Sequence, residues 1–304
     1  MAPDGVELVE CVPNFSEGRD QGVIRELRRA VAAVDRVKLL DSHSDPDHNR
    51  TVLTFAGPLG QVCLAAMRVA RQAVELIDIR EHVGVHPRMG AVDVVPFVPL
   101  AGASLDACAD AARQVARYMG EELGVPAFLY GAAASPNRPR QLSKIRGAGH
   151  DSIEAMGAGL RSPDFGPPAP HPRAGAVAVG ARMPLIAFNV MLDSYDMGQA
   201  ERIARGVRES SGGLRSVQAL AFALPSRGQA QVSMNLLDFE VSGVAAVLAR
   251  VRELAAPEGA TLAACELVGL LPEAALVGLE GETLTGTPGP ADTIESRLRG
   301  PGLS

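Results

Sequence analysis

"GVHPRMGAVDVVPFVPL" (residues 84–100) decides the fold. Its second half reads as a strand, with Val92, Val94 and Val98 on one face and Ala91, Val95 and Phe97 on the other. Apolar residues on both faces imply a strand buried on both sides, inside a helix-covered sheet. Pro96 cannot donate a ladder hydrogen bond, which predicts an edge or a bulge there. In the first half, Pro87 biases His86 toward an extended backbone. Residues two apart on an extended chain point the same way, so His86 and Arg88 are expected to project together, with Gly84 and Gly90 permitting tight bends. A guanidinium beside the ring disfavours imidazolium and leaves a neutral His86 able to accept a proton near pH 7. Asp93, an acid within a buried strand, needs a partner, either an arginine or this imidazole. His82 falls at the predicted end of a helix and reads as a cap.

Outward from this stretch, strand-like and helix-like runs alternate. "VELVECV" (6–12) is β-like, and Asp20 is placed to cap a helix carrying Ile24, Leu27, Val31 and Val34. Strands at 36–42 and 50–57 surround a polar loop, and a helix runs from about Leu59 to Asp78. Ser104 caps a further helix that ends at Gly124, and "PAFLYG" (126–131) is a short strand. Residues 161–175 contain five prolines and two glycines and form a long connection, either an interdomain linker or a binding loop. The run 174–192 reads as a hairpin or two strands, and a helix follows at about 196–210. Strands are expected at 216–224, 230–238 and 265–270, a helix at about 240–256 and a last helix from Pro272. The end of the chain is turn-rich and expected to fray. The class is α/β with mixed sheets, as two sequential subdomains spanning 1–174 and 175–304, each a β-sheet covered by helices.

Composition excludes several functions. The net charge is −6 and aromatics make up 4% with no Trp, which argues against a nucleic-acid-binding face. The four cysteines, Cys11, Cys63, Cys108 and Cys265, lie in apolar segments without a C-x-x-C pair. They read as buried free thiols of a reducing compartment. The N-terminus lacks a basic-then-apolar signal pattern, and the most apolar window is broken by Arg182. A cytoplasmic protein away from the membrane is expected.

Polar residues concentrate in other places too. "CVPNFSEGRD" (11–20) sets Asn14, Ser16, Glu17 and Arg19 after a strand, where α/β sheets favour ligands. It also reads as a plain strand-to-helix turn. "DSHSDPDHNRT" (41–51) holds His43, Asp45, Asp47 and His48, a set that suits zinc or manganese. These residues lie on a Pro-containing turn with no second cluster to complete a shell. A polar loop that feeds Arg50 into a ligand cleft is the preferred reading, and no metal is assigned.

Together these runs resemble the formiminotransferase family, the transferase part of the formimidoyltransferase-cyclodeaminases. The matching stretches are "ECVPNFSEGR", "DPDHNRTVLTF", "GVHPRMGAVDVVPFVPL", "SPDFGP", "GARMPLIAFNV", "QVSMNLLDFE" and "ELVGLLP". The resemblance implies a ligand cleft between the two subdomains and a homodimer formed through the first. It implies transfer of a formimidoyl group from N-formimidoyl-L-glutamate to N5 of tetrahydrofolate, with folate as co-substrate and no metal or redox cofactor. His86 takes the place of the family's catalytic histidine. The folate-binding loop falls on Gly166, Pro167, Pro168, Ala169, Pro170, His171, Pro172, Arg173, Ala174 and Gly175. Arg50 falls in the family's active-site region, and Asn14, Arg88 and Asp93 are expected to support it. Some relatives carry an acid where this chain has His43, which is then the candidate to replace it. The chain ends at Ser304, so a separate cyclodeaminase is expected to consume the product. Rival readings are a formyl donor in the same site, a metal-dependent hydrolase at 43–48, and a non-catalytic folate binder paired with a cyclodeaminase.

Overall fold

The computed structural model describes residues 7–138, 140–146 and 162–303. They form two compact units that divide between Met183 and Pro184, with the last residues of the chain returning to the first unit. Each unit is a sheet with its own core.

The first unit contains a seven-stranded mixed sheet. Its strands are β1 (Leu8–Cys11), β2 (Asn14–Phe15), β3 (Lys38–Asp45), β4 (Arg50–Pro58), β5 (Val92–Pro99), β6 (Ala127–Gly131) and β7 (Val177–Ala181). β1 and β2 are two pieces of one interrupted line, lying between β4 and β5. β3 pairs with β4, and on the other side β5 pairs in parallel with β7, which pairs in parallel with β6. Helices α1 (Gln21–Ala32), α2 (Leu59–Leu76) and α3 (Leu105–Glu121) bury their apolar stripes against the sheet. Asp20 caps α1 by accepting from the Gly22 and Val23 amides, and Ser104 caps α3 through the Ala107 amide. Ile24, Leu27 and Val31 point from α1 into the core, as their helical spacing demands. A smaller apolar cluster joins Val94, Phe128, Tyr130 and Ala178 of the strands to Ile145 of α4 (Leu142–Arg146).

β5 is therefore buried on both faces, as its composition requires. Pro96, however, is not on an edge strand. It sits opposite the break between β1 and β2, where its carbonyl accepts from the Val12 amide and its nitrogen, which bears no hydrogen, forfeits no ladder bond. The bulge that proline predicts is present as a register shift at Asn14/Phe15.

The second unit is a four-stranded antiparallel sheet in the order β11-β8-β10-β9. Its strands are β8 (Ile186–Leu192), β9 (Val217–Leu224), β10 (Gln229–Leu236) and β11 (Leu262–Val268). Helices α5 (Met197–Val207) and α6 (Val244–Ala255) close its core, and α7 (Ile294–Arg299) follows near the end of the chain.

Three expectations are corrected. The division falls after Met183 and not after Ala174, because β7 is an inner strand of the first sheet. Of the two readings of the run 174–192, two strands holds and a hairpin does not, since β7 and β8 belong to different sheets. After Pro272 a short 3-10 turn forms at Glu273–Leu276 in place of an α-helix. The terminal region is also tied down, with α7 capped by the Thr293 hydroxyl and the Leu303 amide bonded to the Leu39 carbonyl.

Phe97 is fully buried on the central strand, so Phe97→Ala is expected to cost about 3–5 kcal/mol. Asp20→Ala removes only a helix cap and is expected to cost about 1 kcal/mol. Denaturant titration of both variants followed by circular dichroism checks the ranking.

Candidate functional site

The site is built where the break between β1 and β2, the start of β4 and the loop before β5 meet. Arg50, the first residue of β4, is the link. Its Nε and Nη2 donate to Asn14 Oδ1 at 3.0 and 2.6 Å. Its Nη1 donates to Asp93 Oδ2 at 2.6 Å and lies 3.2 Å from His86 Nδ1. Asp93 is fully buried, and its other oxygen accepts from the Met89 amide at 2.8 Å. The buried acid thus has its arginine, and Asn14, Arg50, His86 and Asp93 form one cluster.

His86 Nδ1 has two neighbours that make different demands. It lies 2.7 Å from the Pro87 carbonyl and 3.2 Å from the Arg50 guanidinium. A carbonyl only accepts and a guanidinium only donates. The shorter contact favours Nδ1 as the donor, toward Pro87, an assignment that puts the lone pair on Nε2. The guanidinium beside His86 is Arg50's, where Arg88 was expected. Arg88 Nη2 instead donates to the His82 carbonyl at 2.9 Å. Burial lowers the Arg88 pKa, and the nearby Asp93 charge opposes that shift. The His48 ring stands 5.7 Å from the His86 ring, tilted by 50°.

The two glycines around the His-Pro-Arg run are required by close approach. A Cβ on Gly84 would stand 2.3 Å from the His48 carbonyl oxygen. One on Gly90 would stand 2.2 Å from that of Ala176. The loop therefore lies flat against the 46–49 turn at one end and against the chain before β7 at the other.

His82 is not a helix cap. It is buried, and its Nε2 donates to the Asn49 carbonyl at 2.7 Å, while Nδ1 is buried without a hydrogen-bond partner. Burial lowers its pKa, and the Arg88 charge adds to this.

The 166–175 loop is zipped to the same region. Ala91 N donates to Ala174 O, Ala176 N to Met89 O, and Ile79 N to Arg173 O. His171 and Gly175 exchange backbone hydrogen bonds, and His171 Nδ1 accepts from the Arg173 and Ala174 amides. Burial, aided by the Arg173 charge, lowers the His171 pKa and favours this neutral, accepting form. Arg173 Nε also reaches Asp78 Oδ2 at 3.1 Å. Gly166, Pro167, Pro168 and Ala169 are exposed, so this part of the loop is accessible. Arg161 of the expected connection lies outside the described residues.

His43 lies on β3 opposite Val52 of β4, within the same sheet region as Arg50. Asp45 uses its carboxylate as a turn lock, accepting from the Asp47 and His48 amides. Among the described residues no group of three or more His, Cys, Asp or Glu is arranged to hold a metal ion. Arg182 donates from Nη1 to the Met183 carbonyl. Asn49 and the buried role of His82 were missed from the sequence. The available signal was an Asn in a polar turn directly before Arg50, since Asn tolerates left-handed backbone.

Comparison with known proteins gives the family. The formiminotransferase domain, N-terminal subdomain, matches residues 8–182, and the formiminotransferase domain proper matches 187–280. The chain belongs to the formiminotransferase family, a family of transferases. It is 42% identical over 275 residues to the glutamate formimidoyltransferase of Thermoplasma acidophilum, covering 90% of each chain. It is 40% identical to that of Streptococcus pyogenes serotype M1, covering 89% of this chain and 91% of the relative. It is 44% identical to the formimidoyltransferase-cyclodeaminase of Sus scrofa, where the match covers 89% of this chain and 51% of the relative. The chain thus spans about half the length of that bifunctional relative.

Asp93→Ala leaves the Arg50 charge buried beside an empty partner site, with an expected loss of about 3–5 kcal/mol in denaturant titration. The lowered His82 pKa gives a signed pH effect. Its neutral form supports the fold fully above the unfolded value of about 6.5, and that support is lost as pH falls through the lower folded value. The thermal midpoint should therefore drop on acidification below about pH 6.5, and His82→Gln should flatten that slope.

Proposed function

We propose that this chain is a glutamate formimidoyltransferase that moves the formimidoyl group of N-formimidoyl-L-glutamate to N5 of tetrahydrofolate. The products are 5-formimidoyltetrahydrofolate and L-glutamate. The single observation that carries the reading is the 2.7 Å contact between His86 Nδ1 and the Pro87 carbonyl, which leaves the lone pair on Nε2. A neutral imidazole held in one tautomer is the group this reaction needs.

N5 of the folate attacks the formimidoyl carbon, forming the N5–C bond and a tetrahedral centre. His86 Nε2 accepts the proton that N5 loses. The C–N bond to glutamate then breaks, and the imidazolium returns a proton to the departing nitrogen, so the step consumes and releases no net proton. Holding both reactants in register supplies much of the rate. Arg50, fixed by Asn14 and Asp93, supports the ring from one side, and Arg88 braces the loop backbone. The 166–175 loop is assigned to the folate, because it is accessible at Gly166–Ala169 and hydrogen-bonded to the segment that carries His86. Its relatives' names, glutamate formimidoyltransferase and formimidoyltransferase-cyclodeaminase, support the formimidoyl donor. A cytoplasmic homodimer that passes its product to a separate cyclodeaminase completes the reading.

His86→Ala is expected to fold normally and lose roughly 10²–10⁴-fold in kcat with tetrahydrofolate and N-formimidoyl-L-glutamate. Near-normal turnover by this variant removes the assignment of His86. The same assay run with N-formyl-L-glutamate separates the two donors: faster turnover on the formyl compound would replace the formimidoyl reading.

A further inference from the structure

Three chain segments bring the side chains of the site together, and Asn49 is hydrogen-bonded to each of the two segments other than its own. Its Oδ1 accepts from the Gly18 amide at 2.8 Å, in the segment that begins with Asn14. Its Nδ2 donates to the Val83 carbonyl at 3.2 Å, and its own carbonyl accepts from His82 Nε2 at 2.7 Å, both in the segment that leads to His86 and Asp93. The next residue in its own segment is Arg50. The partners fix the amide orientation, because the Gly18 N–H needs an oxygen and the Val83 carbonyl needs a donor. Asn49 is only 7% exposed, and its φ of 48° lies in the left-handed region that Asn tolerates better than most side chains.

We propose that Asn49 is a positioning residue for proton transfer at His86: its side-chain amide sets the His86 loop in register with Arg50 and Asn14. The inference rests on the reading of His86 as the base. Val83 lies close before His86 in the chain, and the Val83 carbonyl is where the amide pulls on that loop. At the far end, Met89 is held by Asp93. The loop is thus pinned on both sides of the imidazole, once by an acid bonded to Arg50 and once by the residue preceding Arg50. Both pins refer the ring to the same arginine. Without the Asn49 pin, the ring is expected to lose its alignment, and a misplacement of about 1 Å can cost on the order of 10²-fold in rate.

Two substitutions separate positioning from bulk folding. Asn49→Gly keeps the left-handed backbone and the carbonyl that receives His82, and removes both amide bonds. Asn49→Asp keeps an oxygen for the Gly18 amide but sets a second oxygen against the Val83 carbonyl, cutting the tie to the His86 loop alone. Both are assayed in the full chain with tetrahydrofolate and N-formimidoyl-L-glutamate, alone and on the His86→Ala background. The expected result is a fall in kcat of about 10²-fold with KM for tetrahydrofolate essentially unchanged. Little further loss should follow when His86 is already Ala, because residues acting as a unit are non-additive. Retained kcat in both single variants, or an equal loss on both backgrounds, overturns the inference. Failure of the underlying reading is distinguishable, because His86→Ala alone would then retain turnover. Should Asn49→Gly melt at room temperature, Asn49→Asp decides by the same comparison.

Discussion

The contact on which the first unit's site depends is the Arg50–Asp93 pair, with Asp93 fully buried and the arginine side chain 14% exposed. Burying a charge pair is costly, and its attraction alone seldom repays desolvation by a wide margin. What the pair supplies here is geometry. Asp93 lies on β5, Arg50 opens β4, and Asn14, which takes the other edge of the guanidinium, begins β2 between them. A planar guanidinium with directed donors converts three strand positions into one rigid reference, which a lysine ammonium does not do. The strand register sets where the arginine starts, and the guanidinium ends 3.2 Å from the imidazole.

Besides the Asn49 and Asp93 side chains, main-chain acceptors hold the loop before β5. The Pro87 carbonyl orients the His86 ring, the His82 carbonyl receives Arg88, and the Asn49 carbonyl receives His82. Backbone acceptors cannot rotate away, so each constrains its partner more tightly than a flexible side chain does. The segment ending in Gly175 follows the same logic, through hydrogen bonds between its backbone and that of Met89 and Ala91.

Much of this was legible in the sequence because it follows from residue type. Valines on both faces of β5 announced a doubly covered strand, and Asp20 and Ser104 announced their helix caps. Asp93 in an apolar strand required a partner, an arginine or the imidazole, and Arg50 takes that place. The failures have a common physical cause. For Pro96 only the edge alternative failed, because the neighbouring strand is interrupted where the proline sits. Arg88 was paired with His86 by local alternation, whereas the arginine beside the ring comes from another strand, brought in by antiparallel pairing. The 174–192 run carried no mark of a unit boundary, because β7 and β8 are equally apolar and only pairing partners tell them apart. Asn49 was invisible for a similar reason. Its partners, Gly18 and Val83, lie on either side of it in the chain, at separations of 31 and 34 residues.

The choice of a carbonyl to hold His86 Nδ1 has a consequence for the proposed reaction. In hydrolytic triads a buried carboxylate occupies that place and stabilises the imidazolium that forms. A carbonyl fixes the same tautomer with a partial charge only. The full negative charge nearby belongs to Asp93, and it is bonded to the Arg50 nitrogen that stands between the acid and the ring. Such an imidazole is oriented through Nδ1 by a neutral acceptor. That suits a group that must take a proton from one nitrogen and return one to another within a turnover. Orientation carries more of the burden in such a design than charge does. A site of this kind therefore invests in loop placement, with glycines at close approach and buried amides across strands, rather than in a catalytic acid.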